Sequence, residues 1–284
     1  RRAEALNESV NAVTNVDAER ALRAAERSPR GPFGGVPFLV KDLLPQPGLP
    51  CFFGARLFAG LGNVPTAHLP YTAAIEASGL LTIGKSTTSE FGLLGSTETL
   101  LTGPTRNPWD PSRSAGGSSG GAAAAVACGI VPMAHANDGG GSIRIPAAMC
   151  GVFGFKPSRG RCVSASAAPD AFGFVRDHCV SRSVRDSAQF LACTERRDAE
   201  APLPPIGLVE SGEPRPLRIG VVRTSLLGAA PPSSGLDAVD AAARLCRELG
   251  HVVDDAEPLQ GMGETISDVF FTVAGSVMHG VETM

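Results

Sequence analysis

The sequence predicts an α/β fold, a mixed and largely parallel sheet core flanked by helices. Three observations carry that prediction. Short apolar runs such as Val36–Val40, Leu80–Ile83, Ile130–Ala136 and Leu217–Val222 alternate with helical patterns. The 284 residues are 43% hydrophobic and 19% charged, which is enough apolar material to bury a large core. A glycine- and serine-rich cluster separates the run ending at Ala136 from the helical pattern that follows it.

Taken in order, Arg1–Arg27 is rich in Ala, Glu, Arg and Leu, which predicts surface helices with a break near Asn11–Asn15. A turn-rich stop covers 28–35. Val36–Val40 predicts a buried strand that ends in Lys41-Asp42. A lysine there either snorkels to the surface or is buried with a partner. Leu43–Val64 reads as a Pro/Gly-rich loop, Tyr71–Ser78 as a helix, Leu80–Ile83 as a strand and Ser89–Leu94 as a short helix. Gly79–Ser86 matches the nucleotide-binding pattern G-x-x-x-x-G-K-S/T letter for letter. Its four intervening residues are strand-like and a helix precedes them, so the exposed loop of amides that phosphates need is not expected.

Leu100–Arg113 is a loop, Ser119–Cys128 a closely packed small-residue helix, Ile130–Ala136 a strand and Ser142–Met149 a helix. Short strand and turn pieces follow to Val163, and Ala165–Cys179 is loop-like. Ser183-Val-Arg-Asp186 has the spacing of a helix start and leads a helix to about Cys193. The segment 195–216 is a proline-rich loop or linker. A strand at Leu217–Val222, a helix at Leu236–Leu249, a strand at His251–Asp254 and a helix from Thr265 complete the chain. Residues 1–284 read as a single domain without internal repeats.

Composition narrows the function. The net charge of −3 is dispersed, so no basic face recommends nucleic acid or anionic lipid. No segment approaches the roughly 20 uninterrupted apolar residues of a membrane span. Seven cysteines lack zinc spacing and read as small buried hydrophobes in a reducing cytoplasm. The chain opens on Arg1-Arg2 with no initiator Met or signal pattern and stops inside a helical pattern, so both ends read as cuts.

Two clusters carry the chemistry: Gly116-Gly117-Ser118-Ser119-Gly120-Gly121 and Asp138-Gly139-Gly140-Gly141-Ser142. Three glycines before Ser142 let backbone N–H groups point into one concavity that could bind an oxyanion. A serine beside such a hole suggests acyl transfer, and its hydroxyl needs a base. None of the five histidines, at 68, 135, 178, 251 and 279, stands in a context that recommends it. A lysine held neutral by burial is the other option, and Lys41 fits it. Ser118 could stand between the two and pass the proton. The run Gly116–Gly120 also matches the G-x-S-x-G elbow of α/β-hydrolases, but the polar, proline-containing Asn107–Ser114 is not the apolar strand that elbow follows.

With these stretches in view, the sequence resembles the amidase signature family over most of its length. The carrying motifs are Gly-Val-Pro-Phe-Leu-Val-Lys41-Asp, Gly84-Lys-Ser-Thr-Thr-Ser-Glu-Phe91, Thr105-Arg-Asn-Pro-Trp-Asp110, the first Gly/Ser cluster, Asn137-Asp-Gly-Gly-Gly-Ser-Ile-Arg-Ile-Pro146 and Cys150-Gly-Val-Phe-Gly-Phe-Lys-Pro157. The resemblance implies a Ser–cis-Ser–Lys set: Ser142 as nucleophile, Ser118 as bridging serine beside a cis peptide, Lys41 as neutral base. It implies an oxyanion hole from the amides of Gly139, Gly140, Gly141 and Ser142, with Ser119, Asp138 and Arg144 as supports. The Asp138–Arg144 pair also reads as an ordinary ion pair at a helix start, and both readings can hold together. The implied reaction is hydrolysis of a small-molecule amide, cyclic or linear, through a serine acyl-enzyme, with no metal or organic cofactor.

Within the family, Val131–Asp138 with Arg-Ile-Pro-Ala looks most like 6-aminohexanoate-cyclic-dimer hydrolases and similar bacterial amidases. Gly139 stands where many members carry Thr, Ile or Ala, which opens the wall beside the nucleophile. Members usually continue well past position 284, so the chain reads as truncated at its C-terminus. Exposed sheet faces would then favour pairing with another chain, as in a homodimer. Two further readings stay open: a truncated, inactive amidase-like protein, and an amidase subunit of a transamidase assembly.

Overall fold

A computed structural model describes residues 1–27, 29–166, 173–210, 212, 215–225, 229–257 and 262–282. The expected break at Asn11–Asn15 is a strand. Helix α1 (Arg2–Val10) ends at Asn11, whose left-handed backbone turns the chain. The Asn7 side-chain oxygen accepts the Ala12 and Val13 amides at 2.8 Å each and starts β1 (Val13–Val16). Asp17 then caps α2 (Ala18–Glu26) by accepting the Arg20 amide at 2.9 Å.

The next elements are β2 (Pro37–Lys41), α3 (Arg56–Gly60), α4 (Pro70–Ala77) and β3 (Leu81–Ser86). After a single 3-10 turn at Glu90–Gly92 come the short hairpin β4 (Glu98–Thr99) and β5 (Gly103–Pro104), then α5 (Gly120–Ala127) and β6 (Met133–Asp138). Helix α6 (Arg144–Cys150), β7 (Phe153–Gly154), β8 (Arg176–Ser181) and α7 (Val184–Thr194) follow. Ser183 caps α7 by accepting the Asp186 amide at 3.1 Å, as the Ser-x-x-acidic spacing predicts.

Helix α3 interrupts the stretch read as loop. Strand β8 replaces the end of the Ala165–Cys179 loop, the rest of which lies partly outside the described residues. Strand β3 runs on to Ser86, so Gly84-Lys85-Ser86 lies inside a strand and not in a phosphate loop.

Six strands form one mixed sheet in the order β1-β3-β2-β6-β8-β7. Its centre, β3-β2-β6, is parallel; β1, β8 and β7 join antiparallel. Side chains alternate across the sheet. Leu39, Ala134 and Val180 pack with α1, α5 and α6 on one face. Phe38, Met133 and Cys179 pack with Tyr71, Ile75 and Phe190 of α4 and α7 on the other.

Helix α5 is buried on every side, from Gly120 through Val126. Its small residues let its backbone reach the sheet and the loops around it. A Cβ on Gly121 would lie 2.2 Å from Thr87 Oγ1 and 2.5 Å from the Ala12 carbonyl oxygen.

The chain divides into two compact units, Arg1–Glu210 and Ser211–Met284. The boundary falls within 195–216, but the first half of that stretch is anchored. The buried Glu195 carboxylate accepts the Ile206 and Gly207 amides at 2.7 and 2.9 Å and pairs with Arg161 at 3.1 Å. The second unit pairs β9 (Arg218–Val221) with β10 (Val252–Asp255) in parallel and packs α8 (Ser233–Glu248) on them through Val221, Ala243 and Val253. It also contains α9 (Met262–Glu282). Among the described residues no helix is long and apolar enough to cross a membrane.

The packing of α5 makes a testable claim. Gly121→Ala must push backbone apart, so it is expected to lower unfolding stability by about 1–3 kcal/mol. Urea denaturation at neutral pH measures it, and an unchanged midpoint would refute the close approach.

Candidate active site

Lys41 is the last residue of β2, between β3 and β6, and is fully buried. The side chain is therefore buried and does not snorkel to the surface. The Nζ atom lies 2.7 Å from Ser118 Oγ and 2.7 Å from Asn137 Oδ1. Burial pushes the ammonium down from its ordinary value to about 7, against the opposing pull of Asp177 and Asp138. The amine can therefore be neutral at neutral pH.

His135, buried on β6, props the same strand end. Its Nδ1 accepts the Lys41 main-chain N–H at 3.3 Å, so Nε2 carries the proton and donates to Asp177 Oδ1 at 3.0 Å. Burial lowers its pKa despite Asp177. The ring is a neutral support for the end of β2.

Ser118 follows a cis Gly117–Ser118 peptide. Thr97 clamps the turn: its Oγ1 donates to the Gly116 carbonyl at 2.9 Å and accepts the Gly120 amide at 3.1 Å. The Ser118 carbonyl accepts the Ser89 amide at 3.2 Å. The Gly84–Phe91 motif thus continues from β3 into a loop that holds the Ser118 turn.

The second cluster is organised by Asp138, whose side chain is buried. Its carboxylate accepts the amides of Gly141 at 2.7 Å, Ile143 at 3.2 Å and Arg144 at 3.4 Å. Arg144 adds a bidentate pair, with Nε and Nη2 each at 2.9 Å. Burial pushes the Asp138 carboxyl up, but the bonds from Arg144 and these amides outweigh it and the net shift is down. Gly141 reaches Asp138 with φ +135°, a backbone that favours glycine. The expected pair at the helix start is therefore present, and the Gly141 amide is occupied by it.

The two clusters meet through the backbone. The Ser119 amide donates to the Ser142 carbonyl at 3.3 Å, and Ser119 Oγ donates to the Asn137 carbonyl at 3.3 Å. Ser142 is half-buried at this junction. Among the described residues, a Cβ on Gly139 would meet only Val175 Cγ2, at 3.4 Å. The Asn107–Trp109 motif caps the far end of α6: Asn107 Nδ2 donates to the Met149 carbonyl at 2.7 Å and Trp109 Nε1 to the Cys150 carbonyl at 2.8 Å.

A cleft of about 750 Å³ opens beside Asn137, lined by Leu43, Leu44, Asn137, Val163, Val175 and Asp177 among others. Among the described residues no group of His, Cys, Asp and Glu could hold a metal ion. Sequence reasoning gives no role to Asn137, His135 or Asp177. Asn137 adjoins Asp138 in the motif, and that adjacency is the signal that could have found it. Asp177 lies on the strand whose letters read as loop, and only the pairing of β6 with β8 brings it to His135.

The chain is similar to known proteins along most of its length. The profile of the family described as Amidase matches residues 1–275. The chain is 39% identical over 259 residues to the "Putative amidase AmiC" of Mycobacterium leprae, covering 90% of this chain and 55% of that protein. It is 38% identical over 280 residues to the 6-aminohexanoate-cyclic-dimer hydrolase of Paenarthrobacter ureafaciens, covering 90% of this chain and 54% of that protein. A solved structure of 6-aminohexanoate cyclic dimer hydrolase superposes with a TM-score of 0.84 at 36% identity, over 90% of this chain and 55% of that one. The chain spans about half the length of the curated relatives it matches.

Asp138→Ala strands several buried amides and is expected to cost about 2–4 kcal/mol at pH 7. The folded carboxyl lies below its unfolded value of about 4, so its contribution is complete above that value and is lost as pH falls through the lower folded one. Urea unfolding of parent and variant should show a gap that is full at neutral pH and shrinks in acid. A gap independent of pH would contradict the role of the carboxylate.

Proposed function

The chain belongs to the Amidase family, and from that premise we propose that it carries the reaction centre of an amide hydrolase using Ser142, Ser118 and Lys41. The observation that carries the reading is the buried Lys41 amine, 2.7 Å from Ser118 Oγ and brought to a pKa of about 7. A neutral amine there can take a proton that a solvated lysine could not.

Ser142 Oγ attacks the amide carbonyl carbon. Its proton passes to Ser118 Oγ as the Ser118 proton passes to Lys41 Nζ. The amides of Gly139, Gly140 and Ser142 take the developing oxyanion, while the Gly141 amide stays on Asp138 and holds the loop in shape. As the C–N bond breaks, the proton returns from Lys41 through Ser118 to the leaving nitrogen. Water then attacks the Ser142 ester, gives its proton to the same relay, and releases the carboxylic acid and the Ser142 hydroxyl. Asp138 and Arg144 support the loop, and Ser119 joins it to the Ser118 turn. The substrate class we favour is a cyclic or linear oligoamide, on the likeness to the 6-aminohexanoate-cyclic-dimer hydrolase.

A serine-directed fluorophosphonate is expected to label the purified chain at Ser142. Labelling should vanish in Ser142→Ala and slow by about 10²–10⁴-fold in Lys41→Ala. The rate should rise with pH through about 7 and level off above, because the neutral amine is the active form. Full labelling of Ser142→Ala would sink the assignment. Amide hydrolysis that appears only with a partner protein present would favour the transamidase-subunit reading.

A further inference from the structure

We propose that Asn137 is a positioning residue that sets the direction of proton flow by holding one N–H of the Lys41 amine. The proposal rests on the Ser142–Ser118–Lys41 reading above and adds a residue to it.

A neutral lysine amine has two N–H groups and one lone pair. Among the described residues its hydrogen-bond partners here are Ser118 Oγ and Asn137 Oδ1, each at 2.7 Å. The two partners differ in kind. A serine hydroxyl donates or accepts, whereas an amide oxygen only accepts. Asn137 Oδ1 must therefore take an N–H. With that N–H fixed, the lone pair is confined to two staggered orientations; in the one that faces Ser118, the Ser118 O–H donates to it and the Ser118 oxygen is left to accept a proton from the nucleophile. Without that acceptor the amine rotates freely about its last bond, and its lone pair points at Ser118 for only part of the time.

The surroundings support this division of labour. Asn137 is held at the end of β6, where its carbonyl accepts Ser119 Oγ at 3.3 Å. The charged and titratable groups nearest Lys41 are otherwise engaged. Asp177 on β8 bonds to His135 Nε2, Asp138 holds its own loop and Arg144, and His135 Nδ1 takes the Lys41 main-chain N–H. Asp177 and Asp138 favour the charged amine through space, but among the described residues Nζ donates a hydrogen bond to neither. The direction of the amine is thus left to Asn137.

Two variants at this position separate the roles. Asn137→Asp keeps the bulk and the acceptor and adds a charge. The fluorophosphonate labelling rate should keep its high-pH plateau within about threefold, with the acidic limb moved up by about one pH unit. Asn137→Ala removes the acceptor. The plateau should fall about 10–100-fold and the limb move to lower pH, because the charged amine loses a hydrogen bond. An unchanged plateau in Asn137→Ala, or an unmoved limb in Asn137→Asp, would overturn the proposal. NMR titration of the Lys41 side chain in isotope-labelled protein gives a readout that needs no reaction. It should move up in Asn137→Asp and down in Asn137→Ala, and an unmoved titration in both overturns the proposal. A chain that is never labelled at Ser142 would count against the nucleophile reading, while this titration would still decide the role of Asn137. A merely structural asparagine would lower Tm in both variants without moving Lys41.

Discussion

The burial of one amine at the end of a central strand is the constraint on which the site depends. Lys41 lies on β2 between β3 and β6, and its side chain is fully buried. An ammonium in that place would be costly, and the site resolves the cost by letting the amine become neutral near pH 7. The same wall of strands brings its partners. Strand β6 supplies Asn137 at Nζ and His135 at the main-chain N–H, and β8 supplies Asp177 to orient the imidazole. Three strands thus converge on one residue.

Two loops must then be held at fixed distances from that amine, and each is held by a single polar side chain with several partners. Thr97 Oγ1 gathers the Gly116 carbonyl and the Gly120 amide, which fixes the turn around Ser118. Asp138 gathers three amides and one guanidinium, which fixes the turn around Ser142. A threonine hydroxyl can both donate and accept, so it bridges a carbonyl and an amide. An ionised carboxylate only accepts, so it collects amides and a cation. The Ser119 amide on the Ser142 carbonyl joins the two turns. Helix α5 makes the arrangement physically possible, since its glycines and alanines let the Ser118 turn approach the strands without side chains between them.

Much of this is legible in the sequence. Strand β2, helices α4, α5 and α7 and most of β3 stand near where apolar spacing and capping residues place them. The misses share a cause. Strand β1 is four residues long between two helices, and its pairing with β3 is the reason it is a strand at all. Strand β8 opens on Arg176-Asp177-His178, residues that read as loop until they are seen bonded beside β6. The nucleotide-loop pattern at Gly79–Ser86 is the converse case, since the letters match but Leu81–Ser86 is a pleated strand with a buried Lys85. In the stretch 195–216, proline content suggests a linker, yet the buried Glu195 ties the first half down through the amides of Ile206 and Gly207.

The sequence by itself determined the candidate groups: a lysine closing an apolar strand, two serines among glycines, and an acidic residue leading the second cluster. Those are matters of local chemistry, and glycine, serine and lysine announce them by type and order. Tertiary structure alone decided how the groups face one another. It placed Nζ 2.7 Å from Ser118 Oγ, gave it Asn137 as a second partner, and turned the Gly141 amide onto Asp138. The two bonds of Nζ join residues 77 and 96 positions apart, and they rely on the burial that only a closed sheet produces. A pKa and a hydrogen-bond direction belong to an environment, and no run of letters carries that environment within itself.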